Sequence, residues 1–132
     1  MARANGTLSK VRLSQTTLEQ ARDILLKNEE QICRSQDFDD LFLLLERLLS
    51  SVKGLGELYI YDTALRIGSK IGVSPERVYL HAGTRLSAKA LGLDSRMKTL
   101  EVSQLPEWLQ QLQPNEIEDM LCIFKDKLKA RE

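Results

Sequence analysis

The stretch LSSVKGLGELYIYDTALRIG, residues 49–68, decides the fold of this chain. An apolar helical pattern ends there, two glycines separated by one residue follow, and a second helical pattern starts within two or three residues. Glycine adopts backbone conformations that other residues avoid, and it keeps side chains away from anything that approaches the backbone. The stretch therefore predicts two helices joined by a tight turn at Gly54 and Gly56.

Helical spacing recurs along the rest of the chain, and no stretch alternates apolar and polar residues for long enough to predict a strand. Thr16 and Glu19 have the spacing of a capping box, and the acidic residues Asp37, Asp39 and Asp40 suit the amino terminus of another helix. Helices are predicted to begin near Ser14 to Thr16, Asp37, Leu58, Ser74, Pro106 and Pro114. The fold class predicted is all-α, a single compact domain of about five to six helices.

Composition fits one folded domain preceded by a short arm. The chain has 132 residues, of which 42% are hydrophobic and 29% charged, and these proportions are typical of a globular protein. Residues 1–13 carry three basic and no acidic residues and lack an apolar segment, so they predict a flexible basic arm rather than a secretory signal. Residues 14–132 are predicted to form the all-α domain, with the helices of 103–132 closing the bundle.

Two further features bear on the cellular compartment. The apolar run from Leu41 to Leu45 is far shorter than the ~20 residues of a membrane span, so no membrane crossing is predicted. Cys33 and Cys122 are far apart in sequence and have no neighbouring Cys or His. This pattern favours reduced thiols in a cytoplasmic protein over a disulfide or a zinc motif.

The glycine turn carries a defined pattern of apolar residues and glycines. Its slots run apolar, two residues, apolar, one residue, glycine, apolar, glycine, and they are filled by Leu49, Val52, Gly54, Leu55 and Gly56. In this, the segment from Leu49 to Gly68 resembles the helix-hairpin-helix, a module that holds nucleic-acid phosphates. In that family, backbone N–H groups of the hairpin and of the second helix bind phosphate oxygens with little sequence selectivity. The resemblance implies a non-catalytic nucleic-acid-binding protein, with DNA favoured over RNA as the partner.

The resemblance also implies which residues form the binding surface: Lys53, Gly54, Leu55, Gly56 and Leu58. Residues 53–98 hold eight basic and four acidic residues in a chain of net charge +0, so the positive charge coincides with the hairpin and the segment after it. Glu57 departs from the small or basic residue that is common after the second glycine, and its carboxylate would repel a phosphate. The other interpretation is that the two glycines only end one helix and allow the next to turn back.

A second break in the helical pattern lies between Val78 and Leu91 and resembles a degenerate copy of the same motif. In this copy Gly83 is the first glycine and Arg85 replaces the second, so residues 49–91 would form one helix-hairpin-helix region. Arg85 and Lys89 lie one helical turn apart and are the further phosphate contacts that we predict. A plain helical connection bearing two ordinary surface cations is the alternative.

Catalytic and metal-binding patterns are missing from the sequence. His81 is the one histidine, and no Cys, Asp or Glu lies at a ligand spacing from it, so it is interpreted as a packing residue. A Cys–His nucleophile pair requires the fold to bring Cys33 or Cys122 beside His81. The sequence therefore predicts no catalytic residue, no metal site and no cofactor.

Protein–protein interaction is the alternative function. In that interpretation the hairpin is only a turn, and the protein is an all-α adaptor whose partner docks on an apolar groove. The apolar segments Leu41–Leu49 and Ile117–Leu128 also offer enough surface for a homodimer.

Overall fold

The computed structural model describes residues 13–123 and Lys125 of the chain. Within this part 61% of the residues are helical, and a two-stranded antiparallel sheet is the remaining regular structure, so the predicted all-α class is confirmed. The elements in chain order are α1 (Gln15–Lys27), α2 (Glu29–Cys33), α3 (Phe38–Leu49), α4 (Glu57–Ile71), β1 (Val78–Tyr79), α5 (Ala82–Ala90), β2 (Thr99–Leu100), a 3-10 turn (Val102–Gln104) and α6 (Pro114–Ile123).

Polar caps start the first and third helices. The Oγ of Ser14 accepts the N–H of Thr17 at 3.1 Å, so Ser14 caps α1 and the predicted capping box of Thr16 does not form. The carboxylate of Asp37 accepts the N–H of Asp40 at 2.8 Å, and it caps α3 as the sequence predicts. Each cap satisfies one of the N–H groups that have no partner within the helix.

The first hydrophobic cluster lies where α3 packs against α4. Four aromatic rings form its centre, with centroid separations from 4.5 to 6.4 Å: Phe38, Phe42, Tyr61 and Tyr79. Apolar side chains of α3 surround the rings, and most of the Leu41–Leu49 run is therefore buried inside the chain. Of the leucines in this run, Leu43 is exposed and Leu48 is half-buried.

The segment after α4 contradicts one helix prediction. Ser74-Pro75-Glu76 has the composition of a helix start, but the structure has no helix there, and Val78–Tyr79 instead pair with Thr99–Leu100 as β1 and β2. Val78 is fully buried against a second cluster, whereas Tyr79 packs into the first. Long-range pairing and burial thus override the local start signal. The stretch from Val78 to Leu91 is a strand followed by a single helix, so the first helix of a second hairpin is missing.

The second hydrophobic cluster joins the sheet, α5 and the carboxyl-terminal segment. Leu105 and Leu109 are buried in it, and they lie in turns rather than in the helix predicted around Pro106. Trp108, which lies between them, is 59% exposed. The final helix begins at Pro114 as predicted. The predicted apolar positions Phe124 and Leu128, and the basic arm apart from Leu13, lie outside the described residues.

A search of the described helices for a membrane span finds none that is both long and apolar enough.

Candidate nucleic-acid interface

The hairpin between α3 and α4 consists of the buried Val52 followed by two glycines, Gly54 and Gly56. Val52 is buried, and its N–H donates to the carbonyl of Leu49 at 3.1 Å, which turns the chain at the end of α3. Gly54 then adopts φ +95°, in the left-handed region that favours glycine. Leu55 is half-buried, and Lys53 before the turn is exposed.

Gly56 caps α4 without contributing a side chain. Its φ is −101° and its ψ −178°, an extended conformation that any residue adopts. No described atom lies within 4 Å of a Cβ built at Gly54 or Gly56. The first turn of α4 has no side-chain cap, so its leading N–H groups receive no hydrogen bond from the capping residue. Glycine is an acceptable capping residue, but neither the backbone conformation nor the packing within the described chain requires it at position 56.

Glu57, the residue that sequence analysis marked as unfavourable, is paired with Arg85. Arg85 Nη2 lies 2.5 Å from Glu57 Oε2, and Arg85 Nε lies 3.4 Å from Oε1. The pairing brings the start of α5 to the start of α4, so two residues that are 28 positions apart share one surface. A carboxylate in the first turn also interacts favourably with the positive end of the α4 dipole.

The same arginine holds the loop that follows α5. Arg85 Nη1 donates to the carbonyls of Ser95 at 2.7 Å and Met97 at 2.8 Å. A guanidinium has five N–H groups, and these contacts together with Glu57 occupy all but one of them. Arg85 thus mainly connects α4, α5 and the loop after α5, and it has one N–H group left that could bind a phosphate.

Of the two remaining predicted contacts, one lies in the hairpin region and the other on α5. Leu58 is half-buried in the first turn of α4. Lys89 is exposed and follows Arg85 by one turn of α5, in the last turn of that helix. The structure therefore brings Arg85 to the hairpin through Glu57. Two exposed cations accompany them in the sequence: Lys53 directly precedes the turn, and Lys89 follows Arg85 by four residues.

Sequence reasoning missed a buried cluster between the start of α5 and α6. His81 Nε2 lies 2.5 Å from Glu118 Oε2, and both side chains are about 95% buried. Cys122 joins them, because one ligand atom from each of the three residues lies within 4.8 Å of the others. Glu118 and Cys122 are one turn apart on α6, a spacing that is visible in the sequence, whereas the approach of His81 depends on the tertiary fold.

Burial dominates the electrostatics of this cluster. It raises the pKa of Glu118, and the hydrogen bond from His81 opposes the rise. Burial likewise raises the pKa of the Cys122 thiol, which the positive charge of Lys125 opposes. The nearby Tyr61 hydroxyl is buried without a partner among the described residues, and burial followed by the charge of Glu118 raises its pKa.

The chain matches no family model, no curated protein and no solved structure. The class that the structure defines is therefore a mostly helical domain with one small antiparallel sheet.

Proposed function

We propose that this chain is a non-catalytic nucleic-acid-binding protein, with DNA as the favoured partner, that contacts backbone phosphates through the Gly54-Leu55-Gly56 hairpin. The observation that carries the proposal is the absence of a side chain at Gly56, directly before the first turn of α4. The φ of Gly56, −101°, is open to any residue, and a Cβ at this position would meet no described atom within 4 Å, so the described chain does not require glycine here. A bound phosphate would favour glycine, because a side chain at position 56 would stand between the phosphate and the N–H groups of α4.

The local charges are compatible with an anion at this place. Lys53 is exposed immediately before the turn, and Arg85 balances the carboxylate of Glu57. Helix N–H groups attract a phosphate through their aligned dipoles and carry no information about the base. The proposed mode therefore gives affinity without strong sequence preference.

The variant Gly56→Ser separates binding from folding. A serine at this capping position accepts the same N–H groups that a phosphate would use, and it stabilises the helix by a few tenths of a kcal/mol relative to glycine. We expect fluorescence anisotropy with labelled duplex DNA to show a loss of affinity of about tenfold, the equivalent of one hydrogen bond to a charged group. Single-stranded DNA and RNA of the same length, measured alongside, identify the preferred nucleic acid.

Two lysines of similar exposure supply the charge control. Lys53→Gln removes the cation beside the hairpin, and Lys70→Gln removes one from the last turn of the same helix, α4. Only the first is expected to weaken binding and to reduce the slope of log K against log salt, by about one. Unchanged affinity in Gly56→Ser, or no binding by the wild type at low salt, would contradict the proposal.

Glu57→Gln provides a change in the opposite direction. It removes the carboxylate from the hairpin surface and releases two N–H groups of Arg85 toward it. We expect tighter DNA binding, because one negative charge is lost beside the phosphate.

Protein–protein interaction is the second candidate, and the exposure of Trp108 favours it. Aromatic side chains are enriched in the buried cores of protein interfaces. Trp108 is 59% exposed although it is flanked by the buried Leu105 and Leu109. A partner that docks there would bind with little dependence on salt, in contrast to a phosphate-bound nucleic acid, and Trp108→Ala would weaken it.

A further inference from the structure

We propose that His81, Glu118 and Cys122 form a binding site for a single divalent metal ion of the zinc class. The three residues come from two elements: His81 directly precedes α5, and the other two lie one turn apart on α6. They offer an imidazole nitrogen, a carboxylate oxygen and a thiolate sulfur, which are the three kinds of atom that bind zinc in proteins.

The distances require only side-chain adjustment. Ligand atoms around a tetrahedral zinc ion lie about 3.5 Å apart, given bond lengths of 2.0–2.3 Å. The three candidate atoms lie within 4.8 Å of one another. The His81–Glu118 contact of 2.5 Å is shorter than a liganded pair, so the ion would replace this hydrogen bond.

The surrounding contacts hold the two elements at a fixed separation. The Ser87 hydroxyl donates to the carbonyl of Leu121, which fastens α5 to α6 beside the cluster. Thr84 Oγ1 accepts the N–H of His81 at 2.8 Å and fixes the backbone from which the imidazole projects. Gly83 leaves room between the two elements, because a Cβ there would lie 3.5 Å from His81 Cε1 and 3.6 Å from Cys122 Sγ. In protein metal sites, residues that contact the ligands rather than the metal hold those ligands in orientation.

The cluster combines two side chains that can be anionic with one imidazole. The Glu118 carboxylate pairs with the His81 imidazole, both of them buried, and the half-buried Cys122 lies beside them. The buried hydroxyl of Tyr61 has no partner among the described residues. Orphaned buried hydroxyls are rare and indicate a water molecule or an ion that would satisfy them. A divalent ion bound by the cluster would neutralise its two anionic ligands.

Binding exchanges protons for the metal in a balanced way. The Cys122 thiol releases its proton to solvent and binds the ion as thiolate. His81 binds as the neutral imidazole and keeps its proton on the other ring nitrogen, while Glu118 binds as carboxylate. Water occupies the fourth position, and the half-buried Cys122 marks the side of the cluster that is nearest to solvent.

Cobalt titration of the full chain tests the site directly. After treatment with a chelator and a thiol reductant, the wild type is expected to bind one equivalent of Co²⁺. The complex should show the visible bands of tetrahedral cobalt and a thiolate-to-cobalt charge-transfer band, and Zn²⁺ should abolish both. Absence of a saturable charge-transfer band in the wild type would overturn the proposal.

Two cysteine variants locate the signal. Cys122→Ser removes the thiolate at the site, whereas Cys33→Ser removes the exposed cysteine and serves as the matched control. We expect the charge-transfer band to vanish only in Cys122→Ser; its loss in Cys33→Ser instead would show binding elsewhere and refute the site. Glu118→Gln retains a hydrogen bond to His81, so the chain folds, and it is expected to lower cobalt affinity by at least about tenfold. Unchanged affinity in Glu118→Gln would also refute the three-residue site.

Discussion

At the scale of single residues, Gly54 and Gly56 occupy the same turn for different physical reasons. Gly54 has φ +95°, so a side chain there strains the backbone although space is available for it. Gly56 has ordinary dihedral angles and the same open space. The first glycine is needed by the fold, and the second is the one that a bound phosphate would explain.

Alanine substitutions at the two positions are therefore expected to differ in stability. Gly54→Ala should lower the free energy of unfolding by about 1–2 kcal/mol, the cost of a left-handed non-glycine residue. Gly56→Ala should lower it by about 0.5 kcal/mol, because alanine is a poorer helix cap than glycine. Urea unfolding followed by circular dichroism measures both, and equal losses would mean that Gly56 has a structural role not visible in its dihedral angles.

Tyr61 yields a prediction about alkaline pH in the metal-free protein. Burial raises the pKa of its hydroxyl, so above the ordinary tyrosine pKa of about 10 the unfolded chain loses this proton while the folded chain keeps it. The unfolded state then binds fewer protons, and stability falls as the pH rises above about 10. Tyr61→Phe removes both this loss and the unpartnered hydroxyl.

We expect metal-free Tyr61→Phe to be more stable than the wild type by about 1 kcal/mol at neutral pH, and by more at alkaline pH. Urea unfolding at pH 7 and above pH 10 checks both expectations. A variant that is less stable than the wild type would show that the hydroxyl has a hydrogen-bond partner in solution.

The glycine turn between α3 and α4 was predictable from sequence, whereas the environment of Glu57 and His81 was not. A glycine-rich turn is specified by residues next to one another, and Leu49 to Gly56 contain the complete pattern. The partners of Glu57 and His81 lie 28 and 37 positions further along the chain. Such contacts exist only after the helices have packed, and no local spacing encodes them.

At the scale of elements, long-range contacts decide the structure between α4 and α6. Ser74-Pro75-Glu76 has the local chemistry of a helix start, but the backbone that follows pairs with β2. A helix there would withdraw Val78 from the second cluster and Tyr79 from the first. Helix starts at Asp37 and Pro114 were predictable because local signals and packing agree there.

Arg85 is the side chain that links α4, α5 and the loop before β2, and a double-mutant cycle with Glu57 separates its contributions. Arg85→Ala should lower the free energy of unfolding by about 1–2 kcal/mol, since it frees the carbonyls of Ser95 and Met97 as well as Glu57. Glu57→Ala should cost less, because the ion pair is partly exposed.

The coupling energy between Arg85 and Glu57 is expected to stay below about 1 kcal/mol, as for other exposed pairs. Most of the Arg85→Ala effect should therefore persist in the Glu57→Ala background. If that effect disappears there, the ion pair and not the carbonyl contacts fastens the loop.

At the scale of the whole molecule, two hydrophobic clusters meet along β1. Successive side chains of a strand point in opposite directions, so Val78 enters the second cluster while Tyr79 enters the first. Leu80 returns to the second cluster, and its N–H donates to the carbonyl of Lys98 at 3.0 Å. Three residues thus connect the two halves of the core.

This connection predicts one cooperative unfolding transition. Leu45→Ala, in the first cluster, and Leu100→Ala, in the second, each remove a fully buried side chain and should lower the free energy of unfolding by about 2–5 kcal/mol. Each variant should shift the far-UV and near-UV circular dichroism transitions together. A variant that moved only part of the signal would show that the clusters unfold as separate units.

The exposure of Trp108 also determines what the intrinsic tryptophan fluorescence of this protein can measure. It is the one tryptophan of the chain, and 59% of it is accessible to water in the folded state. Unfolding therefore changes its surroundings little, and its emission wavelength is a poor gauge of folding. A protein partner that covered the turn would shift the emission to the blue, whereas a nucleic acid held at the hairpin without touching Trp108 would leave the wavelength unchanged. The chain thus carries its own fluorophore, placed to distinguish the two kinds of partner without any label.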